Sequence, residues 1–165
     1  IWNAAVALGV PAAELVAPAT TAMFCISKGL GAPVGSVLVG PADVITSAHS
    51  YRRRLGGAMR QAGVIAAAGL VALDTMVDRL ADDHRRARAL ADALAERFPG
   101  SVDPDAIETN IVWAPLDRLP GDLLGRLRSE GIWALALGDR ARFVTHKDVD
   151  DADMDRVVKV LRDLD

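Results

Sequence analysis

The segment Cys25-Ile26-Ser27-Lys28-Gly29-Leu30-Gly31-Ala32-Pro33-Val34-Gly35-Ser36 is the most chemically informative in the chain. A primary amine sits at the end of a short apolar run and enters a turn rich in glycine. Partial desolvation is expected there, and desolvation favours the neutral, nucleophilic form of an amine. Glycines without Cβ atoms let a planar ligand approach the backbone closely. These are the needs of a Schiff-base lysine. On spacing alone a second reading stands beside it, a lysine that snorkels out of a tight turn. A P-loop is excluded, because no glycine-lysine-Ser/Thr run exists.

Other reactive side chains are less concentrated. Cys25 is the only cysteine, so no internal disulfide can form and a reducing cytosol is expected. Its place in the apolar run predicts a small buried residue. His49 and His84 lie in helical, charged surroundings and are expected to face solvent. His146 precedes Asp148-Val149-Asp150, where a structural histidine is expected rather than a catalytic base. No Cys/His spacing suggests zinc, so no metal is expected.

The elements that must position Lys28 follow from periodicity. Residues 23–26 and 36–39 read as short strands around the glycine turn, and residues 2–9 as a helical turn or helix closed by Gly9 and Pro11. A helix is expected from Ala42 to about Leu55, with Pro41 at its first turn. Residues 59–98 read as helical with a break near residues 74–78. The stretch 62–73 is apolar almost all round, which predicts burial on most sides. Asp82 and Arg86, four apart, are expected to pair on a solvated face. Beyond Pro99-Gly100 the pattern is strand 108–114, helix 120–130, strands 132–137 and 141–145 joined by Gly138-Asp139, and a last helix 151–164 capped by Asp150. The fold class is α/β.

Composition bounds the partners. The 165 residues are 51% apolar with a formal net charge of −3, enough for a core and without the basic face that nucleic acid requires. The longest apolar run, residues 62–73, is too short to span a bilayer, so no membrane partner is expected.

Three segments, in order, resemble the low-specificity L-threonine aldolases of the β-eliminating lyase group. The first is Phe24-Cys25-Ile26-Ser27-Lys28-Gly29-Leu30-Gly31-Ala32-Pro33-Val34-Gly35-Ser36. The second is Leu55-Gly56-Gly57-Ala58-Met59-Arg60-Gln61-Ala62-Gly63, and the third is Ala141-Arg142-Phe143-Val144-Thr145-His146-Lys147-Asp148-Val149. Ile1-Trp2-Asn3-Ala4 looks like the continuation of a family Asp-Gly-Ala-Arg motif. The resemblance implies a fold-type I pyridoxal-phosphate (PLP) enzyme. It places residues 1–58 at the end of the large PLP-binding domain, 59–100 in a helical connection and 101–165 in a small C-terminal α/β lobe. Lys28 would bear PLP, Ser27 and Arg60 would touch its phosphate, Arg60 from a neighbouring subunit, and Arg142 would bind the substrate α-carboxylate. Arg53 stands where many relatives carry lysine. The implied activity is cleavage of the Cα–Cβ bond of a β-hydroxy amino acid, in a cytoplasmic homo-oligomer with shared active sites.

The chain has no initiator methionine and opens on an apolar pattern, so the start of the protein is expected to lie before Ile1. The family's phosphate-cradling loop, ring-stacking histidine and pyridinium-binding aspartate would lie there too. The isolated 165-residue chain is accordingly expected to have little or no aldolase activity. Another fold-type I PLP lyase, a serine hydroxymethyltransferase, or an inactive remnant that acts through packing are the competing expectations.

Overall fold

The computed structural model describes residues 1–164, in two compact units, Ile1–Arg79 and a second from Leu80 onward. Helix and strand are mixed, as the α/β expectation required.

In the first unit α1 (Trp2–Leu8) ends at Gly9, whose φ of 66° supplies the left-handed cap. The short α2 (Ala12–Val16), which periodicity did not reveal, begins after Pro11. Strands β1 (Ala22–Cys25) and β2 (Ser36–Val39) pair antiparallel in the register Phe24↔Val37. Helix α3 (Ala42–Arg54) follows Pro41, and α4 (Gly63–Thr75) begins four residues later than the periodicity predicted. The core here is small: Ala5, Ile26, Leu30, Ala32 and Ala72. Trp2 meets Phe24 edge to face at 5.3 Å, which ties α1 to β1.

Helix α4 corrects one expectation. Its apolar surface predicts burial on most sides, yet Val64, Leu70 and Val71 are exposed and only Gly69 and Ala72 are buried. The reason lies in what the first unit offers: it covers one face of α4, where Gly69 meets Ile26 and Ala72 is buried with Ile65, Ala68 and Leu73 half-buried, and leaves the opposite face exposed. A Cβ at Gly69 would lie 2.9 Å from Ile26 Cδ1, so glycine permits this approach. Helicity breaks at residues 76–79, close to the expected place.

The second unit contains α5 (Leu80–Arg97), β3 (Ile111–Pro115), α6 (Leu123–Ser129), β4 (Leu135–Leu137), β5 (Arg140–Val144) and α7 (Asp151–Asp163). Its sheet is antiparallel in the order β3-β5-β4, so β5 is the middle strand. Side chains of period two separate the faces. Val112, Ala114, Ala141 and Phe143 point into a core with Leu90, Leu94, Leu127, Met154 and Leu161 of the helices. Trp113, Arg142 and Val144 take the opposite face. Asp150 caps α7 reciprocally with Asp153, its carboxylate accepting the Asp153 N–H at 2.9 Å. Leu94 is 0% exposed at the centre of this core. Leu94→Ala is expected to cost about 2–5 kcal/mol, read as a lowered denaturant midpoint. A loss under about 1 kcal/mol would show a core that can collapse into the gap.

The charges on α5 also differ from expectation. Asp82 pairs with Arg85 rather than Arg86, at 3.5 Å, and Asp83 is fully buried. Arg86 Nε instead donates to Asp151 Oδ1 at 2.7 Å, and Arg85 joins the same carboxylate. Those hydrogen bonds, that from Arg86 first, hold the Asp151 carboxyl below its usual range. The pair stitches α5 to the start of α7. Such contacts across sequence are invisible to an i,i+4 rule.

Burial holds the His84 imidazole below its usual 6.5, with Asp83 opposing in part, so His84 is half-buried rather than solvent-facing. As pH falls below 6.5, the unfolded chain takes up a proton that the folded chain refuses. Stability should therefore fall with pH through that window until the folded value is reached. His84→Gln should flatten this slope in thermal midpoints measured from about pH 7.5 to about pH 5.5. An unchanged slope would remove His84 as its source.

Candidate active site

Lys28 is carried by the loop between β1 and β2, and the loop is tied back on itself. Ile26 N–H donates to Gly35 O at 3.1 Å, Ala32 N–H to Ile26 O at 2.9 Å, and Gly31 N–H to Lys28 O at 2.9 Å. Gly31 and Gly35 have φ of 72° and 120°, conformations that few side chains tolerate. Ile26, Leu30 and Ala32 bury their side chains beneath the loop. The backbone bearing the amine is thus fixed, while the amine points outward.

The expected desolvation is not provided within this chain. Lys28 is exposed, because the buried positions of the loop fall on Ile26 and Leu30, on either side of it. Ser27, beside it, is half-buried. Cys25 is likewise exposed rather than buried, since β1 alternates and Cys25 falls on its outer side. Among the described residues neither the Lys28 nor the Ser27 side chain is engaged in a hydrogen bond or ion pair.

Arg60 lies in the turn before α4, in the same unit as Lys28, exposed and also unpaired among the described residues. Arg53 sits in the last turn of α3, flanked by Arg52 and Arg54. Arg142 belongs to the second unit. It stands on the middle strand of its sheet, because β5 lies between β3 and β4. The Arg142 guanidinium carbon stands 5.8 Å from the centre of the Trp113 ring. Beyond it, Thr145 is buried: its hydroxyl donates to Asp83 O at 2.6 Å and its N–H to Asn110 O at 3.1 Å, pinning the end of β5. His146 Nδ1 accepts the Asp148 N–H at 3.3 Å, within the turn that leads to α7.

Two features were missed by sequence reasoning. A groove of about 390 Å³ in the first unit is lined by Met23, Ser36, Leu38, Ile45, His49 and Arg52, and none of the candidate residues borders it. Trp113 escaped notice because strand register, which sets it opposite Arg142, leaves no local signal. Among the described residues no cluster of His, Cys, Asp or Glu could hold a metal ion, and no helix is long and apolar enough to cross a membrane.

Solved structures share this fold. A Listeria monocytogenes EGD-E protein assigned as an L-allo-threonine aldolase superposes with a TM-score of 0.74 at 19% identity, over 97% of this chain and 48% of that one. SPT, solved with its PLP internal aldimine, superposes with a TM-score of 0.62 at 17% identity, over 86% of this chain and 38% of that one. A strand-end lysine loop followed by helices and a small sheet lobe is therefore the α/β fold of the fold-type I PLP enzymes. Sequence narrows the class. The sequence model of the β-eliminating lyase family matches residues 1–116, and the chain belongs to that family. An Arabidopsis thaliana relative assigned as low-specificity L-threonine aldolase 2 is 42% identical over 163 residues, 96% of this chain and 46% of that protein. The chain thus spans less than half the length of that curated relative.

Proposed function

We propose that the protein carrying this chain is a PLP-dependent lyase that cleaves the Cα–Cβ bond of a β-hydroxy amino acid. L-threonine or L-allo-threonine would yield glycine and acetaldehyde. The observation that carries this reading is the Lys28 amine, unpaired among the described residues, on a hydrogen-bonded, glycine-shaped loop inside the family-matched segment.

The donor set suits the cofactor. PLP presents an aldehyde and a phosphate, and the chain offers a free primary amine, a neighbouring hydroxyl and an unpaired guanidinium at Lys28, Ser27 and Arg60. Lys28 would hold the aldehyde covalently, while Ser27 and, from a neighbouring copy of the chain, Arg60 would hold the phosphate. When bound, PLP supplies an electron sink for the pair left on Cα. Lys28 Nζ would also be an amine able to take and return a proton beside the substrate. Arg142 would orient the substrate by forking onto its α-carboxylate.

We also read residues 1–58 as the end of the cofactor-binding domain and 101–165 as the small domain. The exposed apolar side chains of α4 support assembly with further copies, hence a homo-oligomer, and the lone cysteine supports a cytoplasmic setting.

Release of acetaldehyde from L-threonine and L-allo-threonine by the PLP-loaded protein tests the reading, with tyrosine, tryptophan and serine plus a folate as comparison substrates. Turnover of the first two supports it. Turnover confined to the comparison substrates would assign a different lyase of the same fold. Failure to bind PLP at all would favour a chain that acts only through packing.

A further inference from the structure

We propose that Trp113 is a positioning residue for Arg142, holding its guanidinium near the indole while its N–H donors stay available to an α-carboxylate. The inference rests on the reading of Arg142 as the carboxylate-binding group.

Strand register sets the two residues opposite each other, Trp113 on β3 and Arg142 on the middle strand β5. Both side chains take the face of the sheet away from the core, and the guanidinium carbon lies 5.8 Å from the indole centre. That is within the range of a cation–π contact, and indole is the strongest partner among the aromatic side chains. On the other side of Arg142 its register partner is Leu135 of β4. An indole and an isobutyl group thus flank the arginine stem, restricting where the head can swing.

What the head leaves free matters more. A cation–π attraction acts on the charge of the guanidinium and requires none of its N–H donors. Among the described residues the Arg142 side chain makes no hydrogen bond or ion pair, and its guanidinium lies over the Trp113 ring. Elsewhere in the same unit Arg85, Arg86 and Arg88 give their donors to Asp151 and Asp105. Trp113 therefore orders the arginine without occupying the fork that a carboxylate needs. Ordering before binding reduces the entropy lost when the ligand arrives. An apolar residue without a π-face would leave the fork equally free but less well held.

The test is equilibrium binding to the PLP-loaded protein by calorimetry, with glycine as the carboxylate ligand and ethanolamine as the amine that lacks it. KM and kcat for L-threonine are measured alongside. Trp113→Leu should weaken glycine by about two- to fivefold, the worth of an exposed cation–π contact, and leave ethanolamine unchanged. KM should rise with kcat little altered. Trp113→Phe, which keeps a π-face, should restore most of the loss. If Trp113→Leu does not fold, Trp113→Met gives the same comparison.

Wild-type glycine binding in Trp113→Leu, beside a large loss in Arg142→Ala, overturns the role of Trp113 and leaves Arg142 in place. Equal weakening of glycine and ethanolamine also overturns it, because a general lesion of the sheet would do that. Wild-type glycine binding in Arg142→Ala overturns the carboxylate reading and this inference with it.

Discussion

Lys28→Ala should abolish covalent capture of PLP. After incubation with PLP and reduction by borohydride, peptide mapping of the wild-type chain should find the added mass on the peptide that contains Lys28. The variant should show none. The physical basis is specific: the Lys28 side chain has no hydrogen bond or ion pair among the described residues, and it stands on a loop closed by three backbone hydrogen bonds. Lys147 and Lys159, the other lysines, lie outside that loop. Lys147 donates to Asp148 at 2.6 Å. In the PLP-loaded protein, turnover of L-threonine should fall by at least about a thousandfold, since the lysine supplies both the covalent attachment and a proton-carrying amine. Reduction that marks another lysine in the wild-type chain would remove Lys28 from its role. No mark at all would mean that this chain does not bind PLP by itself, and a protein extended at its N-terminus would then be the next test.

The second large effect is expected at Arg142. Replacement by alanine should reduce kcat/KM for L-threonine by roughly 10- to 150-fold, the loss of charged hydrogen bonds worth about 1.5–3 kcal/mol. Most of the change should fall on KM, because the carboxylate is bound alike before and during bond cleavage. Arg142→Lys should recover only part of it, as an ammonium cannot fork. The fold should tolerate both, because Ala141 and Phe143, not Arg142, face the core. An unchanged KM in Arg142→Ala would place the carboxylate elsewhere, with the unpaired Arg60 as the first alternative.

Local chemistry made much of the secondary structure readable. Pro41, Gly138 and the Asp150–Asp153 cap act within four residues of themselves, and the elements they bound stand close to where the sequence predicts them. The break between α4 and α5 falls at residues 76–79, where apolar periodicity changes. Burial was less readable. Cys25 was expected inside and is exposed, Lys28 was expected partly desolvated and is exposed, and Asp83 is buried on a helix whose charges were expected on a solvated face. Each error has one cause. A residue's type states what it would prefer as a neighbour, whereas its exposure depends on which elements cover it.

The same division holds for the candidate site. By itself the sequence determined the lysine, its glycine turn and the family, because these are contiguous patterns whose chemistry is local. Only the tertiary structure decided that Arg142 lies on a middle strand, that Trp113 faces it, and that Arg86 reaches Asp151 across 65 residues of chain. Register and helix packing are set by the summed burial of Val112, Ala114, Ala141, Phe143 and the helices above them. No single residue encodes that sum, so no local motif announces it.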